Sequence, residues 1–387
     1  MRNNSGIGRL IKVNVLIALA IIMCCACVSN SKKAVKLPEI LLTSELRAGK
    51  GNIDYLISKT EFVPLETNSR SLFKEISKLF ICGDTLIVGD YKLGKVLLFG
   101  RDGSYISSFS HLGRGPGEYG NIQDITFDEK NRTIFICDFV KRKIHNYKLD
   151  GLYLNSSDIN IKNAGEFFYS YLDYFVFYRH NQIFPAHSNS NLVITDKKQK
   201  YIRSGITIPE TIRNLSFLGN SFMSSSDSCL YVYPCFKDTI FQIDPQLNIV
   251  PKFSVKIEEK LDVKQSHHWD KRYKSSSEFF QTIHADDFIW QTSDFYALSN
   301  YIVFKYLSNS GYSLVIYSKE DDTTRIFTHP SVTKGNFLFT PIGRDGDCIV
   351  VNLAIADNVE RVNKFVDSKI DLNSNPVLCF ITLKKSK

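Results

Sequence analysis

Thr85-Leu-Ile-Val-Gly-Asp90 returns 48 residues later as Thr133-Ile-Phe-Ile-Cys-Asp138, and the match continues without a gap. Lys95 aligns with Lys143, Val96 with Ile144, Phe99 with Tyr147, Asp102-Gly103 with Asp150-Gly151, and Tyr105 with Tyr153. A repeat of this length constrains the fold strongly, because each copy must be one supersecondary unit that buries its apolar face against the next. Within a unit, short apolar runs alternate with polar turns. The Asp-Gly pair predicts a tight type I′ hairpin, whose two central residues both need positive φ. Each unit is therefore a meander of strands, and a period in the forties is that of a propeller blade.

Four more degenerate units keep the rhythm. Tyr174–Phe177 with Leu192–Ile194 makes a third, Cys229–Tyr233 with Thr239–Ile243 a fourth, and Tyr301–Phe304 with Leu314–Tyr317 a fifth. Cys348–Val351 with Val377–Thr382 makes a sixth. The third and fifth lack the Asp-Gly turn. A ring of six needs a strand from the other end of the chain to close it, since open edges invite aggregation. Thr60–Leu65 is the candidate, and Pro64 suits a sheet edge because proline donates nothing to a ladder. The strand pattern breaks at about 256–289, where Phe280, Ile283 and Phe288 have helical rather than alternating spacing; a helical or irregular insertion is expected there. The expected class is all-β, a six-bladed β-propeller, and the 28 Phe and 19 Tyr residues suit its strands.

The first thirty residues read as an export signal. Arg2, Arg9 and Lys12 precede an apolar run over Val13–Met23, followed by Cys24-Cys25-Ala26-Cys27. The run is far short of the ~20 residues that span a bilayer. A cysteine after an apolar stretch and a small residue resembles a bacterial lipobox, with Cys27 as the acylated residue, Cys25 a second choice, and an ordinary cleaved signal the simpler reading. Several acyl chains together would hold the protein at a membrane. The chain thus divides into a lipoprotein signal peptide (1–26), a tether and lead-in (27–55) and the propeller (56–387).

Residues 1–26 carry three basic and no acidic side chains, so their removal lowers the formal net charge from +8 to +5. The remaining excess is scattered rather than gathered in a patch, which argues against nucleic acid as a partner. Cys82, Cys137, Cys229, Cys235, Cys348 and Cys379 form no C-x-x-C pair or His/Cys cluster, so no metal or redox cofactor is indicated. Cys82 and Cys137 lie in apolar runs, as small buried hydrophobes do. No nucleophile elbow, zinc-protease helix, phosphate loop or EF-hand loop is present. A site gathered from separate blades would leave no such local motif.

Phe62-Val-Pro-Leu-Glu-Thr67, Gly113-Arg-Gly-Pro-Gly-Glu-Tyr119, Lys237-Asp-Thr-Ile-Phe241 and Asn375-Pro-Val-Leu378 are the most distinctive segments. Together they resemble the six-bladed β-propeller lipoproteins of Bacteroidetes, distant relatives of the NHL and TolB-type propellers. The resemblance implies the fold, export and an envelope location. In the Gly113–Tyr119 segment the glycines free the backbone to present N–H groups to an anion, which makes Arg114, Glu118 and Tyr119 candidate ligand contacts. The plainer reading is a tight connection between blades. His267-His268-Trp269 reads as an exposed loop, with Trp269 able to stack on a sugar ring. Asp90 and Asp138 recur at one blade position, which argues for carboxylates that accept backbone hydrogen bonds in a turn. The expected role is an envelope binding or scaffolding module for a glycan, peptide or protein. The alternatives are a carbohydrate- or lactone-directed hydrolase or lyase with a metal ion in the channel, and the sensor of an envelope signalling system.

Overall fold

A computed structural model describes residues 36–43, 50–215, 219, 221–257, 273–275, 277–278, 281, 291–308, 311–332, 337–353, 355, 359–367 and 369–385. Its sheets are six antiparallel meanders, each running outward from a common axis. Blade I holds Lys78–Cys82, Thr85–Asp90, Lys95–Gly100 and Tyr105–Phe109. Blade II holds Asp124–Asp128, Thr133–Asp138, Lys143–Lys148 and Tyr153–Asp158. Blade III holds Phe167–Tyr171, Tyr174–Tyr178, Ser190–Asp196 and Tyr201–Thr207. Blade IV holds Met223–Ser226, Cys229–Val232, Thr239–Ile243 and Ile249–Ile257; blade V holds Gln291–Ala297, Tyr301–Ser308, Gly311–Ser318 and Thr323–Val332. Blade VI takes Pro341–Asp345, Cys348–Leu353 and Val377–Leu383 from the end of the chain.

The expected closing strand is the outermost strand of blade VI. Ile57–Pro64 runs antiparallel to Val377–Leu383, with Phe62 opposite Cys379 and Pro64 opposite Val377. Two of the distinctive segments thus meet here. The Asn375 side-chain amide donates to the carbonyls of Glu66 (2.7 Å) and Ser71 (3.0 Å), and its backbone N–H donates to Thr67 Oγ1 (2.8 Å). Pro64 lies on a sheet edge, where its missing N–H costs no ladder bond. Upstream, Glu39–Leu42 pairs in parallel with the outer strand of blade IV, and Lys50–Asn52 with that of blade V, covering two further edges. The expected insertion at 256–289 falls mostly outside the described residues, and the last strand of blade IV runs as far as Ile257.

Neighbouring blades stack by their apolar faces. Ile87, Val96 and Leu98 of blade I pack with Ile125, Ile134 and Ile136 of blade II, and Leu86, Val88 and Leu97 pack on the other side with Val350, Leu378 and Phe380 of blade VI. The two faces of one strand serve two seams, which is why middle strands carry continuous apolar runs, such as Leu86–Val88 and Val96–Phe99, instead of alternating with polar residues. Cys82 and Cys137 are buried in this apolar stacking, none of the six described cysteines is in a disulfide, and burial pushes the Cys137 thiol well up.

The Asp-Gly turns differ from the expected type I′ form. Gly103 N–H donates to Gly100 O and Gly100 N–H to Ser104 O, with positive φ at Gly103 (+89°) but not at Asp102. This is a type I turn followed by a left-handed residue and a bulge, the three-residue hairpin solution. The Asp102 carboxylate accepts the Ser104 N–H at 2.9 Å and so holds Asp102 in its ordinary conformation. Blade II repeats the arrangement at Asp150-Gly151. Blades III and IV build the same turn with Gln199 (φ +63°) and Leu247 (φ +65°) in the glycine's place.

Candidate functional site

The innermost strands face the axis with edges that no further strand pairs, though side chains of blade II cap the Phe168 and Ser170 N–H groups, and between these strands runs a channel of about 760 Å³. It follows these strands from Ser77 and Ser221 at one end to Asp128, Asp227 and Gly346 at the hairpins that join first and second strands. Its wall is rich in hydroxyls, with Tyr169 and Ser170 from blade III and Ser224, Ser225 and Ser226 from blade IV. Open strand edges add backbone N–H and C=O groups, so the channel is built to make hydrogen bonds.

Three cations line it: Lys78, Lys130 and Arg344. Lys78 Nζ lies 2.7 Å from Asp124 Oδ1, an acid that also accepts the Tyr91 hydroxyl (2.7 Å) and the Phe168 N–H (2.9 Å), tying blades I, II and III together. Burial, assisted by the Asp124 charge, pushes the Tyr91 hydroxyl well above its ordinary value. Lys130 pairs with Asp173 at 3.2 Å. Arg344 differs. It reaches from blade VI past blade V to donate to Ser225 Oγ of blade IV at 2.9 Å, and Ser225 Oγ lies 2.9 Å from the Tyr169 hydroxyl of blade III. Beside the channel, Lys197 sits against Asp128 (3.4 Å) and bonds Ser170 Oγ, over the rings of Phe135 and Phe175. Burial pulls its ammonium down to about 8, with Asp128 opposing the shift.

The residues expected as ligand contacts lie elsewhere. Arg114, Glu118 and Tyr119 sit in the connection from blade I to blade II, at the opposite end of the blade from the hairpins around Asp128 and Asp227. Arg114 is exposed. The Glu118 carboxylate accepts the Gly115 N–H at 2.6 Å, and a Cβ on Gly113 would lie 2.0 Å from that carboxylate, so the anion cradled by the glycine loop is the protein's own. Tyr119 is fully buried and donates to the Gly94 carbonyl at 2.8 Å. Trp269 and its neighbouring histidines lie outside the described residues, as does Cys27.

Asp90 and Asp138 act as read from their recurrence. Asp90 accepts the N–H groups of Lys74 (2.6 Å) and Leu93 (3.1 Å), and Asp138 those of Gly120 (2.6 Å) and Lys141 (3.0 Å). Each clamps the segment leading into its blade to the turn after its second strand. The same position in blade III is Arg179, fully buried, which donates to the carbonyls of Lys162 (2.7 Å), Ala164 (3.1 Å), Ala186 (2.8 Å) and His187 (2.8 Å). Burial pulls its guanidinium down to about 10. A further polar seam joins blades III and IV: Cys235 Sγ lies 3.5 Å from His180 Nε2, and His180 Nδ1 lies 3.0 Å from Glu166 Oε2. Cys235 and His180 are fully buried, with Phe167, Tyr178 and Phe222 around the imidazole, which makes this relay a blade-to-blade contact that meets solvent only at its half-buried Glu166 end.

Residues 44–382 match the model of a domain of unknown function, DUF4934. The chain belongs to the DUF4934 family. Among solved structures, this DUF4934 chain is similar to a protein from Bacteroides fragilis NCTC 9343 assigned as exported, at 18% identity and a TM-score of 0.71, over 90% of this chain and 100% of that one. That likeness independently supports the fold. It is also similar to a member of the DUF4221 family from Bacteroides vulgatus, at 10% identity and a TM-score of 0.49, over 85% and 97% of the two chains. A virginiamycin B lyase from Staphylococcus aureus matches at 10% identity and a TM-score of 0.41, over 84% and 99%. No curated protein matches the chain.

Proposed function

We propose that this DUF4934 protein is an exported, lipid-anchored binding module of the cell envelope, related to the NHL and TolB-type propellers, whose central channel takes a hydroxyl-rich ligand such as an oligosaccharide. The observation that carries the reading is the wall of that channel, where serine and tyrosine hydroxyls and open strand edges from different blades converge on one space of about 760 Å³. That volume falls in the range of small-molecule sites, roughly 300–1,000 Å³. A closed ring holds such groups rigidly, so little ordering is required on binding. The exported relative from Bacteroides fragilis supports the location, and the sequence around Cys27 supports the anchor. Arg114, which is exposed, and Trp269 are then the proposed contacts with a peptide or protein partner, while Glu118 and Tyr119 brace the loop that carries Arg114.

A thermal-shift screen of the chain from Ser29 onward tests the reading, because a ligand that binds only the folded state raises its melting temperature. Neutral and charged oligosaccharides should raise it, and Ser225→Val should weaken that response. Oligosaccharides without effect, beside a peptide that stabilises the wild type and Ser225→Val equally, would place binding away from the channel. The anchor is tested separately: labelled palmitate should enter the wild-type chain in a bacterial host and be lost in Cys27→Ser, whereas loss only in Cys25→Ser would move the acylated residue.

A further inference from the structure

We infer that Arg344, with Ser225 and Tyr169, forms a carboxylate-recognition site across the central channel, and that the ligand is an acidic saccharide bearing a uronate group. The inference rests on the channel being the binding site and adds the chemistry that selects the ligand. Of the three cations lining the channel, Lys78 and Lys130 each have a carboxylate partner, whereas Arg344, among the described residues, has only the Ser225 hydroxyl. Three acids of the channel lining are engaged elsewhere: Asp345 with Arg101 (3.4 Å), Asp227 with Lys319 (3.7 Å) and Asp128 with Lys197 (3.4 Å).

Donor counting gives the specificity. A guanidinium has five N–H donors in a planar fork, and Ser225 occupies one of them. Ser225 Oγ accepts from Arg344 and shares one hydrogen bond with Tyr169 Oη in which either hydroxyl can donate, so one hydroxyl proton of the pair remains to donate into the channel. The site therefore offers a half-buried cation with four N–H groups and one O–H, and no negative charge bonded to them. A carboxylate satisfies the fork with two parallel bonds. The serine row beside it, Ser224 to Ser226, suits the hydroxyls of the attached sugar ring. A half-buried cation is also screened less by salt than an exposed one, so it retains discrimination at physiological ionic strength.

The test is calorimetric titration of the full-length protein in detergent micelles with trigalacturonate, with the neutral galactose trimer, and with inorganic phosphate. Wild type should bind trigalacturonate at least about tenfold more tightly than the neutral trimer. Arg344→Gln should reduce that ratio to about one by weakening trigalacturonate far more than the neutral trimer, and Tyr169→Phe should reduce it in part. Equal binding of charged and neutral trimers by wild type, or an unchanged preference in Arg344→Gln, overturns the carboxylate site while the channel reading stands. Binding of neither trimer overturns both. Phosphate competing as well as trigalacturonate overturns the assignment to a uronate and leaves a general anion site. Should Arg344→Gln fail to fold, Tyr169→Phe and the salt dependence of the wild-type ratio decide the matter, since the preference must fall as salt rises.

Discussion

Arg179 occupies the blade position that holds Asp90 and Asp138, so replacing it with aspartate installs the residue of the best-matched repeats. The structure predicts that this repeat-like substitution is the worse one. Arg179 donates four bonds to backbone carbonyls, whereas Asp90 and Asp138 accept from backbone N–H groups. Arg179→Met keeps the stem volume and strands the carbonyls. Charge-assisted bonds contribute about 1.5–3 kcal/mol each, but four bonds to one group do not add, and the carbonyls of exposed Lys162 and half-buried Ala186 and His187 can rehydrate once the guanidinium is gone; about 4 kcal/mol is the expected loss. Arg179→Asp adds a buried carboxylate facing oxygens, for a total of at least ~6 kcal/mol. An unfolding entropy of ~2.1 cal/mol/K per residue, over roughly 330 residues, converts these losses to drops of about 6 and 9 °C in Tm. Thermal unfolding followed by near-UV circular dichroism reads both. An Arg179→Asp protein as stable as wild type, or more stable than Arg179→Met, would refute the argument that the surrounding loop polarity selects the residue.

Three further outcomes follow from single contacts. A Cβ on Gly103 would lie 2.0 Å from the Pro64 carbonyl oxygen in the closing strand, at φ +89°, whereas Gly83 at φ +57° has open space. Gly103→Ala should therefore cost several kcal/mol and Gly83→Ala only about 1, by urea titration. Lys197, held at about 8 against an ordinary 10.5, binds fewer protons folded than unfolded between those values, so wild-type stability should rise from pH 8 to 10.5 by up to ~3 kcal/mol. Lys197→Met should lack that rise in parallel denaturant curves, and a variant that keeps it would place its cause elsewhere. Tyr91→Phe removes one bond to Asp124 and should lower stability by about 1–2 kcal/mol; a neutral result would mean that Lys78 and the backbone N–H groups satisfy Asp124 alone.

What the residues reveal in advance, and what they hide, divides along one physical line. Blades I and II are legible because the same strand faces, Asp clamps and Asp-Gly turns occur twice at a fixed offset, and the closing strand is legible because a ring of blades requires one. The turn in blades III and IV is hidden because no glycine marks it. In blade III the cost of a left-handed glutamine is offset by bonds from its side chain: the Asn160 N–H donates to Gln199 Oε1 at 2.7 Å, and Gln199 Nε2 donates to Ser157 Oγ at 3.0 Å. The Arg179 clamp is hidden for a related reason, since a repeat search sees a mismatch where the chemistry is the same task with donors and acceptors exchanged. The candidate site is hidden most deeply. Tyr169 lies 56 residues before Ser225 and Arg344 lies 119 after it, so only the closure of the ring brings them to one place. The Gly113–Tyr119 segment stands out in the sequence because a tight connection needs many unusual residues in a row, while a channel contact needs one ordinary residue from each of several blades. In a ring of this kind local distinctiveness therefore measures backbone constraint, and binding chemistry has to be sought at matching positions along the innermost strands.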